Sequence, residues 1–112
     1  MTSFVTTHVL DAARGVPAAG VAVTLERLED DGWHAVGTGV TDDDGRIRDL
    51  GPDALPSGTY RLTFAVGDYF AAAGTETFYP EVAVTCRIDG EQEHYHVPIL
   101  LSPFAYSTYR GS

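Results

Sequence analysis

The sequence predicts an all-β sandwich: two antiparallel sheets, seven to eight short strands in total, with one short helix. Three observations carry this. Apolar and polar residues alternate through most segments, which is the period of a strand with one dry face and one wet face. Turn signals rich in aspartate and glycine recur between those segments. No internal repeat, coiled coil or low-complexity segment interrupts the pattern. The 112 residues fit a single domain, 1–112, with room for one modest core.

Ser3 to Leu10 is β-branched and alternating, a first strand. It sets Val5 and Val9 on one face and Phe4, Thr6, His8 and Leu10 on the other. Gly15, Pro17 and Gly20 punctuate the loop that follows. Val21 to Leu28 alternates again, with Val21, Val23 and Leu25 on a shared face. Glu29-Asp30-Asp31-Gly32 reads as a hairpin turn, and Trp33 to Thr41 as the return strand. Asp42-Asp43-Asp44-Gly45-Arg46 is a tight turn. Its three aspartates are turn formers and not a calcium loop, because Val40 and Gly51 stand at the outer ligand positions. Ile47 to Ser57 is irregular. Gly58 to Val66 is a strand with Tyr60, Leu62, Phe64 and Val66 inward. Asp68 is placed to cap a helix through Phe70 to Ala73, stopped by Gly74. Glu81 to Ile88 is a strand with Val82, Val84, Cys86 and Ile88 on one face, and Asp89 to Gln92 a second hairpin turn. His94 opens the next strand, Pro103 marks a corner, and Tyr106 to Arg110 forms the last strand.

The formal net charge is −9, and the chain has no lysine. An acidic surface disfavours nucleic acid and anionic membranes as partners. Without lysine there is no Schiff-base chemistry, and any anionic ligand must meet one of the seven arginines. No apolar run is long enough to cross a bilayer. Thr2 to Leu10 is too polar for a signal peptide, so the expected compartment is the cytoplasm. The single cysteine, Cys86, excludes an internal disulfide framework. Its place among alternating apolar residues reads as a small buried side chain and not a nucleophile.

Four histidines and the arginines are the raw material for chemistry. His34 reads as a surface residue on a hairpin, and His94, close to a turn, as partly exposed. Taken singly, His8 and His96 are ordinary strand histidines. Their meaning changes if their strands are neighbours in one sheet and Arg46 sits at a turn beside them.

His94-Tyr95-His96-Val97-Pro98-Ile99-Leu100-Leu101-Ser102-Pro103, followed by Tyr109-Arg110-Gly111-Ser112, resembles the C-terminal signature of the 5-hydroxyisourate hydrolases. These are the transthyretin-like enzymes of uric acid degradation. Thr6-Thr7-His8-Val9-Leu10-Asp11 with Pro17-Ala18-Ala19-Gly20-Val21, then Thr41 to Arg46, then Phe78-Tyr79-Pro80-Glu81-Val82, resemble further blocks of that family in the same order. The resemblance implies a transthyretin-like sandwich and a homotetramer, a dimer of dimers with sites between subunits. It implies His8, Arg46, His96 and Ser112 as catalytic residues. His8, Arg46, Tyr109 and Ser112 would bind 5-hydroxyisourate, with no metal or other cofactor. Phe104-Ala105 stands where the family commonly has Tyr-Gly, and Tyr79 replaces a phenylalanine.

The physical chemistry of ring opening is consistent with these residue types. Hydrolysis of a cyclic amide in a planar oxidised purine needs a base for water, an anchor for negative charge and donors for an oxyanion. A neutral histidine suits the base, and the planar fork of Arg46 suits the anchor. No Ser-His-Asp pattern surrounds Ser112, which is read as a hydrogen-bonding group. Two other readings use the same residues. His8, His94 and His96 could offer three imidazoles to a zinc-dependent hydrolase, although without carboxylate partners in evident positions. A transthyretin-like carrier of small aromatic ligands needs an apolar lining and has no use for two histidines converging with an arginine.

Overall fold

A computed structural model describes residues 2–111 of the protein; Ser112 and its carboxylate lie outside the described residues. Strands β1 (Val5–Asp11), β2 (Val16–Pro17), β5 (Arg46–Ile47), β8 (Tyr95–Ser102) and β9 (Ala105–Thr108) form one sheet. Its order is β2-β1-β8-β9, with β5 also laid against β1. Strands β3 (Ala22–Glu29), β4 (Gly32–Val40), β6 (Gly58–Phe64) and β7 (Val82–Ile88) form the second sheet in the order β4-β3-β6-β7. The expected two-layer β-sandwich with one helix is the observed fold.

The sheets are not wholly antiparallel. β1 and β8, the central pair of the first sheet, run parallel, with Val5 opposite Tyr95, Thr6 opposite His96 and His8 opposite Pro98. Alternation fixes which face a side chain takes but carries no strand direction, which is why the expectation of wholly antiparallel sheets fails at this pairing. The helix α1 (Val66–Ala72) starts earlier than the apolar alternation implied. Val66 ends the inward series of β6 and yet opens the helix. Asp68 is not its cap: no side chain caps Ala65, and Asp68 sits within the first turn, where its charge favours the helix N-terminus. β9 covers Ala105–Thr108 and stops short of the expected Arg110.

The core lies between the sheets. Val5, Val9, Tyr95, Val97, Ile99 and Leu101 face it from the first sheet, and Val23, Leu25, Tyr60, Leu62 and Phe64 from the second. Cys86 takes the inward face, as the alternation required, but is only partly buried against this cluster and not the fully buried side chain expected. Hydroxyls that enter it are satisfied, whereas Arg27 Nε beside it is buried without a partner among the described residues. The Tyr60 hydroxyl donates to Pro56 O at 2.7 Å, and the Thr7 hydroxyl to Val97 O at 2.6 Å. Asp11 is buried and accepts from the Tyr69 hydroxyl at 2.8 Å and the Arg14 amide at 3.0 Å, which ties α1 to the end of β1. With one face of the first sheet spent on the core, Thr6, His8, His94 and His96 are left on its outer face.

Candidate active site

The outer face of the first sheet receives Arg46 through a turn. Asp42 organises it: its carboxylate accepts from the amides of Asp44 and Arg46, each at 2.9 Å, and its carbonyl accepts from the Gly45 amide. The Arg46 amide holds the Asp42 carboxyl below its ordinary range, so the turn keeps an ionised acceptor. The Val9 amide donates to Gly45 O at 2.7 Å. Gly45 has φ +77°, and a Cβ there would sit 2.3 Å from Val9 O, so only glycine lets the turn approach β1 this closely. The approach sets the β1–β5 register, in which His8 pairs directly with Arg46.

His8 Nε2 lies 2.8 Å from Asp44 O. A carbonyl only accepts, so that nitrogen carries the proton, and Nδ1 holds the lone pair when the ring is neutral. The other two histidines share one partner. Thr6 Oγ1 lies 2.8 Å from His96 Nδ1 and 2.9 Å from His94 Nε2. The two imidazole planes are nearly parallel, with centroids 6.4 Å apart and planes at 23°.

Thr6, Arg46, Arg48, His94 and His96 line a cleft of about 280 Å³. Its polarity is basic within an acidic chain. Arg48 is paired with Asp42 at 3.3 Å, whereas Arg46 has no carboxylate partner among the described residues. Burial pushes the His96 imidazole below its ordinary range, and the nearby charges of His94, Arg46 and His8 add to the effect. His96 is therefore a neutral imidazole over more of the physiological range than a free histidine.

The sequence-predicted residues thus divide. His8, Arg46 and His96 share one sheet face. Tyr109 is 58% exposed and lines a second, more apolar cleft of about 320 Å³ with Val5, Val84 and Tyr95, where His96 is the residue common to both clefts. The terminal segment still reaches the histidine. The Gly111 amide donates to His96 O at 2.8 Å, and a Cβ on Gly111 would lie 2.7 Å from His96 Cδ2. Gln92, with its amide turned to satisfy both ends, links His94 O (3.3 Å) to Arg110 (3.0 Å). His8, His94 and His96 do not gather their ring nitrogens as a metal site would. Among the described residues the group that does so is Glu29, Asp31 and His34, exposed on the β3–β4 hairpin, with His34 on Asp31 at 2.6 Å. Sequence reading passed over Thr6, whose signal was its place two residues before His8 on the same strand face. It also passed over Gly111 as a contact of His96.

Residues 5–111, almost the whole chain, match the HIUase/Transthyretin family. The chain belongs to that family. Among its HIUase/Transthyretin relatives, the 5-hydroxyisourate hydrolase of Salmonella typhi is 48% identical over 112 residues, 99% of this chain and 82% of that protein. The structure of Klebsiella pneumoniae 5-hydroxyisourate hydrolase superposes with a TM-score of 0.87 at 40% identity, covering 98% of this chain and 100% of that one. Sea bream transthyretin in complex with thyroxine superposes with a TM-score of 0.91 at 34% identity, over 96% of this chain and 94% of that one. The family's backbone is thus shared by 5-hydroxyisourate hydrolases and a transthyretin solved in complex with thyroxine, so the backbone alone does not fix the activity.

Proposed function

We propose that this chain hydrolyses 5-hydroxyisourate, opening its cyclic amide to 2-oxo-4-hydroxy-4-carboxy-5-ureidoimidazoline in uric acid degradation. The observation that supports this reading best is the placing of His8, Arg46 and His96 on one outer sheet face by the registers of β1 with β5 and β8. A base, a planar cation and a second imidazole beside one cleft are what amide ring opening requires.

In this reading water loses a proton to His96 as its oxygen adds to the amide carbonyl carbon. Arg46 donates to the oxyanion that forms. The carbon–nitrogen bond then breaks, and the proton on His96 passes to the departing ring nitrogen. Atoms and charge balance without a metal or other cofactor. His8, held by Asp44, orients substrate or water through its free ring nitrogen. Tyr109 and Ser112 supply hydrogen bonds from the terminal segment in this reading, which is supported by the Gly111 amide donating to His96 O at 2.8 Å.

The working unit is a homotetramer, a dimer of dimers in the cytoplasm, with 1–112 as a single domain. A cleft on an outer sheet face gains walls when a second subunit covers it. No helix is long and apolar enough to cross a membrane among the described residues.

The deciding experiment generates 5-hydroxyisourate in place from urate with urate oxidase and follows decay of its ultraviolet band. Acceleration over spontaneous decay that persists with a chelator and is lost in His96→Ala supports the metal-free hydrolase. Loss on chelation favours the zinc reading. A folded wild-type protein that leaves the decay unchanged overturns hydrolysis and puts ligand carriage first.

A further inference from the structure

Thr6 stands between two imidazoles with one hydroxyl to share. It is 5% exposed, and the two rings lie against its Oγ1 at 2.8 and 2.9 Å. A hydroxyl has one hydrogen to donate. If it donates to one ring nitrogen, the other must donate to it. Thr6 Oγ1 has no third hydrogen-bond partner among the described residues, so its hydrogen lies on one of these two bonds, and His94 Nε2 and His96 Nδ1 hold complementary proton states as long as both bonds persist.

Two arrangements satisfy this. In the first, His96 Nδ1–H donates to Thr6, and the Thr6 hydroxyl donates to His94 Nε2. His96 then presents a bare Nε2. It can take a proton there and become imidazolium with its bond to Thr6 unchanged. In the second arrangement the hydroxyl donates to His96 Nδ1. The neutral ring then carries its proton on Nε2, and its lone pair is already occupied. Proton uptake would require breaking the Thr6 bond. Only the first arrangement makes His96 a base toward the cleft.

We propose that Thr6 is a positioning residue for the hydrolysis: its shared hydroxyl holds His96 in the Nδ1–H tautomer and uses His94 as the acceptor that fixes this direction. The proposal rests on the functional reading above, in which His96 takes the proton of water. His94 has a part that strand position alone does not suggest. Its Nε2 lone pair receives the Thr6 hydrogen and so fixes the direction of the shared bond.

Thr6→Val keeps the β-branched shape and removes the hydroxyl; Thr6→Ser restores it. Ring nitrogen resonances of His94 and His96 in 15N-labelled wild-type protein report the tautomers independently of turnover. Expected for the wild type is an Nδ1–H resonance on His96 and a bare, hydrogen-bonded Nε2 on His94. Thr6→Val should lose the single tautomer on both rings and lower kcat by about 10–100-fold with KM within about twofold, less than the roughly 100–10,000-fold of a whole general base because His96 itself remains. Its acid limb in the pH profile should move, and Thr6→Ser should recover the wild-type profile. An Nε2–H tautomer on His96 in the wild type overturns the proposal, even if Thr6→Val does not fold. So does a folded Thr6→Val with unchanged tautomers, kcat and pH profile. A wild-type protein that shows the expected tautomers but no hydrolysis would sink the functional reading while leaving the tautomer assignment intact.

Discussion

Arg46 differs from the other arginines of the site in being unpaired with any carboxylate among the described residues, while Arg48 beside it is spent on Asp42. Arg46→Ala should lower kcat by about 100–1,000-fold, the scale of losing an oxyanion donor. Arg46→Lys keeps the charge but not the planar fork, and should recover only a small part of that loss. Steady-state rates on freshly generated substrate check both. At Gly111 an added methyl would press on the His96 ring at 2.7 Å. Gly111→Ala should therefore reduce kcat while changing unfolding stability by less than about 1 kcal/mol, since the half-buried position lies outside the core cluster. Equal losses of activity and stability would refute the contact as a functional one. These residues were unequally legible. The face shared by His94 and His96 follows from strand parity, and His8 and Arg46 stand out by residue type. Thr6 did not, because threonine in a strand is usual and its hydroxyl shows its meaning only once two rings lie against it. Tyr109 came in by resemblance, and its ring lies at the second cleft, a matter of local backbone path that no alternation encodes.

At the scale of elements, β5 is two residues long and gains its place from the turn before it. Gly45→Ala would set a methyl 2.3 Å from Val9 O at a positive φ, so the turn must back away from β1. The His8–Arg46 register should then fail. The expected result is loss of activity with a folded sandwich, read as near-wild-type far-ultraviolet circular dichroism and a lowered melting temperature. The turn was legible from Asp-x-x-Gly-Arg spacing alone. The strand it feeds was not, because two residues give no periodicity to read. The same limit hid the start of α1: Val66 is buried whether it closes a strand or opens a helix, and the alternation cannot tell them apart.

For the whole molecule, the lowered pKa of His96 couples catalysis and stability to pH with definite signs. The unfolded chain binds a proton near the ordinary histidine value of about 6.5, and the folded chain only below that. Protonation therefore favours unfolding. The contribution is full above pH about 6.5, declines as pH falls through the folded value, and changes no further below it. Denaturant midpoints should fall across that window in the wild type and fall less in His96→Gln. The acid limb of kcat/KM should lie below pH about 6.5 for the same reason. Assembly gives a second prediction at this scale. Phe78 is 73% exposed, Phe104 66% and Tyr106 43%, and β9 is exposed along its length at a sheet edge. Apolar surface of this kind on an edge favours association. Phe78→Glu should reduce the sedimentation coefficient toward that of a single chain, and an unchanged coefficient would place the contact elsewhere.

The parallel pairing of β1 with β8 also bears on how the chain comes to be folded. Thr6 and His96 are 90 residues apart in sequence, and Val5 to Asp11 all find their partners across a similar span. Such contacts repay their loop-closure entropy only after the intervening strands have condensed. The β3–β4 hairpin can close early because its partners are near neighbours, but the central pair of the first sheet cannot. Refolding should run on the millisecond-to-second scale of β-rich topologies. Because the two histidines and their shared threonine come from opposite sides of that late seam, no partly folded intermediate built on the second sheet alone can have a working site. Activity should reappear with the slowest structural phase and never ahead of it.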